Sequence, residues 1–181
     1  MTTYCQYVLT HLEDTYNKHY HDTEYGFPIE DDNLLFERLI LEINQAGLSW
    51  ITILKKADNF RRAYDSFDIE TVARYRESDR ARLLSDAGII RNKLKINAAI
   101  ENARRILELR KEYGSFKGWL DTHHPRAKDE WVKLFKANFR FVGGEIVNEF
   151  LMSSGYLPDA HEISCPIFDI IMEKRPAWSD R

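Results

Sequence analysis

The stretch Asp31–Lys56, DDNLLFERLILEINQAGLSWITILKK, decides the fold class. Phe36, Leu39, Ile40 and Ile43 recur with a period of about 3.6 residues, which gives one apolar helix face. Asp31 or Asp32 can cap its start, and Gly47 ends it. Leu48 to Tyr64 continues as one or two helices. Further along, Asp68 and Ser78 are good caps for two short helices, the second closed by Gly88. The longest helix runs from about Asn92 to Tyr113, carries Ile96, Ala99, Ile100, Ala103, Ile106 and Leu107 on its apolar face, and stops at Gly114. Ser115 caps a short helix ending before Pro125, Lys128–Ala137 is helical, FRFVGG is a tight break, and Glu145–Ser154 is helical up to Gly155. No segment keeps a strand period. The two terminal segments lack helical periodicity and read as irregular, so something else must fix them in place. The fold class is all-α.

The 181 residues suit one domain, or two small lobes sharing a core, and the expectation is a single domain over 1–181. An apolar share of 44% supports a real core, while 30% charged residues with 8 Gly and 5 Pro fit a helical protein. No run approaches the roughly 18 apolar residues of a membrane span. The N-terminus has no basic start followed by an apolar stretch, so the default expectation is a cytoplasmic protein. A net charge of −3 argues mildly against nucleic acid, but distribution matters more than the sum. Arg104, Arg105, Arg110 and Lys111 form one basic set, and Lys128, Lys133, Lys136 and Arg140 another. Each set is either a DNA-facing patch or a solvated helix face.

Three local patterns carry chemistry. Cys5 and His21 lie near one end of the chain, and His161 and Cys165 near the other as H-x3-C. Two Cys and two His suit tetrahedral zinc and leave no position open to substrate, so such a site would be structural and would hold the two ends. Two buried bystander thiols are the alternative. LFKANFRFVGGEIVNEFLMSSG reads as helix, tight turn, helix; such a hairpin can aim backbone N–H groups at a DNA phosphate, or can be a plain connection. Finally, Glu42 stands at the edge of an apolar helix face in a third of the chain rich in Tyr4, Tyr7, Tyr16, Tyr20, Tyr25 and Trp50. A half-buried carboxylate among rings suits a flipped-out, cationic base, with core aromatics and a snorkelling Glu as the alternative.

Four segments in order, YHDTEYGFP (Tyr20–Pro28), LEINQAGLSWITILKK (Leu41–Lys56), LLSDAGIIRNKLKI (Leu83–Ile96) and FRFVGGEI (Phe139–Ile146), resemble the signature blocks of the 3-methyladenine DNA glycosylase I family. The resemblance runs from Cys5 to Cys165. It implies the helix–hairpin–helix glycosylase fold, with a structural zinc on Cys5, His21, His161 and Cys165 joining the terminal segments. It further implies Glu42 and Tyr20 as catalytic residues, and a base pocket of Glu42, Trp50, Tyr20, Tyr25 and Tyr7. DNA contacts fall on Gly47 and Leu48, which enter the gap left by the base, and on the hairpin residues Val142, Gly143 and Gly144. The implied activity is monofunctional hydrolysis of the N-glycosidic bond of 3-methyladenine in double-stranded alkylated DNA, by a monomer with no protein partner and no membrane. Tyr7 and Tyr25 stand where the family usually has Trp, and Glu145 stands where bifunctional relatives carry a Schiff-base Lys. Asp159 falls in the region of a general base in superfamily relatives. Two other readings are a non-catalytic module binding damaged DNA or a free alkylated base, and a zinc hydrolase; against the latter, His21 is followed by Asp22 and Thr23, not by the H-x-E of nucleobase deaminases.

Overall fold

A computed structural model describes residues 2–180, and among these there is no strand. The α-helices in chain order are α1 (Tyr4–Thr10), α2 (Thr15–Thr23), α3 (Asp32–Gln45), α4 (Trp50–Ala63), α5 (Ile69–Ala73), α6 (Glu77–Ser85), α7 (Lys93–Tyr113), α8 (Phe116–His123), α9 (Lys128–Asn138), α10 (Gly144–Ser153) and α11 (Pro166–Glu173).

α3 is the central element. Asp31 caps it by accepting from the Leu34 N–H at 2.9 Å. Leu35, Phe36, Leu39, Ile40 and Ile43 are fully buried, and every residue from Leu35 to Asn44 is at least nine-tenths buried. α4, α7, α8 and α10 pack around it. Its Asp32 carboxylate accepts from the N–H groups of Phe116 and Lys117 at 2.8 and 2.9 Å and from Arg110, so one acid caps α8 and ties down the end of α7.

Two features set the geometry of the face described below. α3 stops at Gln45, and Gly47 follows at φ +81°, the left-handed conformation that only glycine adopts cheaply, so the chain turns sharply into α4. Lys95, in the first turns of α7, is 4% exposed, and its ammonium donates to the carbonyls of Asn44 and Ala46 at 2.8 Å each. Those carbonyls belong to the last turn of α3, where the helix leaves acceptors unpaired.

Some expectations need correction. The N-terminal segment is helical, not irregular, and the C-terminal one is irregular over 154–165, as expected, before it forms α11. α1 is held by a Thr3–Gln6 capping box and α2 by Asp14, which accepts from the Asn17 N–H. α11 starts with Pro166 at its first position. These helices have 7, 9 and 8 residues, too short for periodicity to reveal. Ser78 does not cap α6; Arg76 holds that position, and the Asp79 side chain accepts from its N–H.

Candidate functional site

Tyr4, Tyr20, Tyr25, Glu42, Gln45, Trp50 and Glu149 line one pocket of about 270 Å³. Glu42 and Gln45 are three residues apart on α3 and so share a face. The Tyr20 ring lies 5.1 Å from Trp50 and 5.6 Å from Tyr25, and Tyr4 meets Tyr25 edge-on at 5.3 Å. Trp50 Nε1 is buried without a hydrogen-bond partner among the described residues, which leaves a donor at this wall.

Glu42 is 4% exposed and carries no ion pair among the described residues. Burial, reinforced by the Glu149 carboxylate and opposed by Arg38, pushes its carboxyl up to about 8. Arg38, one turn earlier on α3, is otherwise committed. It donates to Tyr20 Oη (3.1 Å), the Ser153 carbonyl (3.2 Å) and Glu24 Oε2 (3.1 Å), and its guanidinium sits 4.9 Å from the Tyr20 ring centre. It therefore fixes Tyr20 and leaves Glu42 to face the pocket. Tyr25 donates its hydroxyl to Glu149 Oε2 at 3.2 Å.

Behind this pocket lies a buried cluster. Cys5, His21, His161 and Cys165 bring their ligand atoms within 4.8 Å of one another, a group that could hold a metal ion. Cys5 Sγ is 3.6 Å from His161 Nδ1, and Cys165 Sγ is 3.5 Å from the same nitrogen and 3.7 Å from His21 Nε2. The remaining ring nitrogens are engaged: His21 Nδ1 lies 2.7 Å from Asp22, and His161 Nε2 lies 2.8 Å from the Tyr25 carbonyl. Such outer partners orient ligand imidazoles. Burial drives His161 down to about 4 and so keeps its ring neutral, while burial raises Cys5 to about 11. A thiol in such a place ionises only against a positive charge, which a metal would bring.

The Gly47–Leu48 turn lies at the pocket edge. Gln45 Nε2 donates to the Leu48 carbonyl at 2.9 Å, and the Leu48 N–H to the Gln45 carbonyl at 2.7 Å. The pinned turn presents Leu48 39% exposed. Nearby is the α9–α10 hairpin. Asn102, fully buried on α7, exchanges two bonds with the Arg140 backbone at 2.7 and 3.1 Å and fixes the bend. Val142 is buried, Phe141 is exposed at φ +57°, and its ring lies 5.9 Å from the Lys95 ammonium. Gly143 caps α10 with no side-chain bond, and a Cβ on either Gly143 or Gly144 would meet nothing within 4 Å. No side chain therefore projects from these two glycines over the start of α10, where a helix leaves its first N–H groups for an anion.

The structure therefore gathers Glu42, Trp50, Tyr20 and Tyr25 in one pocket, and Gly47 with Leu48 at its edge. It does not bring Tyr7 there. The Tyr7 hydroxyl donates to Asp14 at 3.0 Å and its ring stacks on His11 at 4.2 Å, while Tyr4, on the same face of α1, lines the pocket. Asp159 is exposed and outside the pocket. Sequence reasoning named Tyr4 among the rings near Glu42 but left it out of the pocket, and missed Gln45 and Glu149; for Glu149 the one available signal was a lone acid inside the apolar run of α10.

The family model for methyladenine glycosylase matches residues 10–134. The chain belongs to the methyladenine glycosylase family. DNA-3-methyladenine glycosylase 1 of Escherichia coli (strain K12) is 39% identical over 165 residues, covering 81% of this chain and 88% of that one. The DNA-3-methyladenine glycosylase of Haemophilus influenzae (strain ATCC 51907 / DSM 11121 / KW20 / Rd) is 34% identical over 185 residues, 92% and 98% of the two chains. Among solved structures, 3-methyladenine DNA glycosylase I of Staphylococcus aureus superposes with a TM-score of 0.77 at 32% identity, over 84% of this chain and 90% of that one. Family membership gives the acid-and-ring pocket a context that its geometry alone lacks. No helix of this family member, among the described residues, is long and apolar enough to cross a membrane.

Proposed function

We propose that this chain is a DNA glycosylase that excises 3-methyladenine from alkylated duplex DNA, working as one catalytic domain. The observation that carries the reading is the pocket itself: Glu42, buried and without a protein counter-ion of its own among the described residues, stands among Tyr4, Tyr20, Tyr25 and Trp50. The relatives bear the name of this activity, and one solved relative is a complex with 3-methyladenine.

Methylation at N3 puts positive charge on the adenine and weakens its bond to the sugar. Little proton transfer to the leaving base is needed, so holding the extruded cation can supply much of the catalysis. Glu42 accepts hydrogen bonds from the adenine edge, Trp50 stacks on the ring, and Tyr20, locked by Arg38, orients it. Gly47 and Leu48 enter the space the base leaves. Val142, Gly143 and Gly144 present the α10 N–H groups to a backbone phosphate. Water then attacks the sugar carbon, which leaves free base and an abasic site. Among the described residues no lysine lines the pocket, and Glu145 occupies the Schiff-base position, so the strand is not nicked.

The cluster of Cys5, His21, His161 and Cys165 is a structural zinc site. For Zn–S near 2.3 Å and Zn–N near 2.05 Å, a tetrahedron has S···N edges of about 3.6 Å. Three of the four S···N separations run from 3.5 to 3.7 Å. Zinc bound there would hold α1, α2 and the start of α11 together.

The test is release of 3-methyladenine from methylated duplex DNA under single-turnover conditions, with Glu42→Ala alongside. Wild type should release base and Glu42→Ala should be at least about a hundredfold slower, the loss of a buried charged hydrogen bond. A wild type that binds free 3-methyladenine yet releases none is a recognition module, and the catalytic reading fails.

A further inference from the structure

Glu149 reaches the base pocket from α10, a different helix from the one that carries Glu42. Desolvation raises its carboxyl from the ordinary range, so its charge is costly in the empty pocket. Tyr25 anchors one of its oxygens at 3.2 Å. Among the described residues no Lys or Arg lines the pocket, and Arg38 below it is engaged with Tyr20, Glu24 and Ser153. Two acids therefore share a small, ring-walled space with no protein cation between them. Like charges so placed resist joint ionisation unless a cation arrives. An adenine offers one exocyclic amine, for which Glu42 suffices as acceptor, so a second acid contributes chiefly charge.

We propose that Glu149 is a specificity-determining residue of this pocket: held by Tyr25, it makes with Glu42 a two-carboxylate cradle that favours purines with a fixed positive charge over neutral ones. This deepens the base-excision reading and rests on it. The Tyr25 hydroxyl supplies the anchor at a position where the family usually has Trp, so the discrimination is a property of this chain's own pair.

The test compares two ligands of nearly one shape. In 3,9-dimethyladeninium the N9 methyl stands in for the sugar carbon and the ring keeps its charge. Free 3-methyladenine loses a ring proton and is neutral in mildly basic buffer. Affinities are measured at pH 7.5 by quenching of tryptophan fluorescence and by calorimetry, for wild type, Glu149→Gln and Tyr25→Phe. Glu149→Gln keeps the size and still accepts from Tyr25. One charge removed at about 7 Å in an effective dielectric near 20 should cost the cation roughly fiftyfold in affinity and the neutral base less than about twofold. Tyr25→Phe, which keeps both ring and charge, should lose part of the same preference. Equal losses for both ligands in Glu149→Gln, or an unchanged ratio, would overturn the proposal. If Glu149→Gln does not fold, an unchanged ratio in Tyr25→Phe overturns it instead. A wild type that binds neither ligand and releases no base sinks the excision reading itself, whereas base release with an unaltered ratio sinks only the role of Glu149.

Discussion

Replacing Glu42 by Gln should stabilise this protein, and by an amount that depends on pH. In the unfolded chain a Glu carboxyl titrates near its ordinary 4.5, and in the folded pocket near 8. Below pH 4.5 both states hold the proton and the group contributes nothing. Between 4.5 and 8 the unfolded chain has released its proton and the folded chain has not, so stability falls as pH rises. Above 8 the whole penalty is present. Each tenfold change in proton affinity between the two states corresponds to about 1.4 kcal/mol, so the ceiling is near 5 kcal/mol; water in the open pocket lowers the expectation to about 2–4 kcal/mol. Glutamine matches the protonated acid in shape and does not titrate. Urea unfolding of wild type and Glu42→Gln, at closely spaced pH values from about 4.5 to about 8.5, gives the difference directly, because most other titrations cancel. The two proteins should coincide at the acid end and diverge steadily above it, with the variant the more stable but the poorer at releasing base. A difference that stays flat with pH, or a variant less stable at pH 8, would refute the reasoning.

Three further outcomes are expected. Removal of bound metal by a chelator, or Cys165→Ser, should lower the melting temperature by more than about 10 °C and abolish binding of free 3-methyladenine; binding that survives metal removal, checked by calorimetry, would separate the cluster from the pocket. Leu48→Ala should slow base release from duplex about tenfold while leaving free-base affinity intact, since the leucine is proposed to fill the gap in DNA and does not line the pocket. Lys95→Met leaves the Asn44 and Ala46 carbonyls without their donor, which costs about 1–3 kcal/mol in unfolding experiments, and should slow release from duplex more than it weakens free-base binding.

How much of this was legible depended on what each element uses to stay folded. α3 could be read because it is long, capped by Asp31 and apolar on a broad face. α7 could be read for the same reasons, with Asn92 and Gly114 marking its ends. The terminal helices could not. In TYNKHYHDT only Tyr20, His21 and Asn17 are buried, and two of those three are polar, so no apolar stripe exists to be found. That gap propagated into the site. Without α1 as a helix, nothing distinguished Tyr4, which lines the pocket, from Tyr7, which stacks on His11 and donates to Asp14. The candidate ligand set and the acid proposed to recognise the base were carried by the family resemblance, and spacing alone left them open. Glu149 was hidden for another reason: its meaning comes from contact with Tyr25, 124 positions away.

The cluster and the pocket are best understood as one device. Tyr4 precedes Cys5, and its ring packs 5.5 Å from that of His21. Tyr20 precedes His21. Tyr25 offers its carbonyl to His161 Nε2 at 2.8 Å while its hydroxyl holds Glu149. Each tyrosine of the pocket is thus adjacent in sequence to a cluster residue or bonded to one. α1 and α2 have little apolar surface with which to fix these rings, since only Cys5 and Val8 of α1 and Asn17, Tyr20 and His21 of α2 are buried. Rings that must clasp a planar base need placement within a fraction of an ångström, more than two short helices can give. A metal shared by four buried side chains would supply that rigidity without occupying the pocket. A metal held there would be structural, in an enzyme whose chemistry asks nothing of a metal.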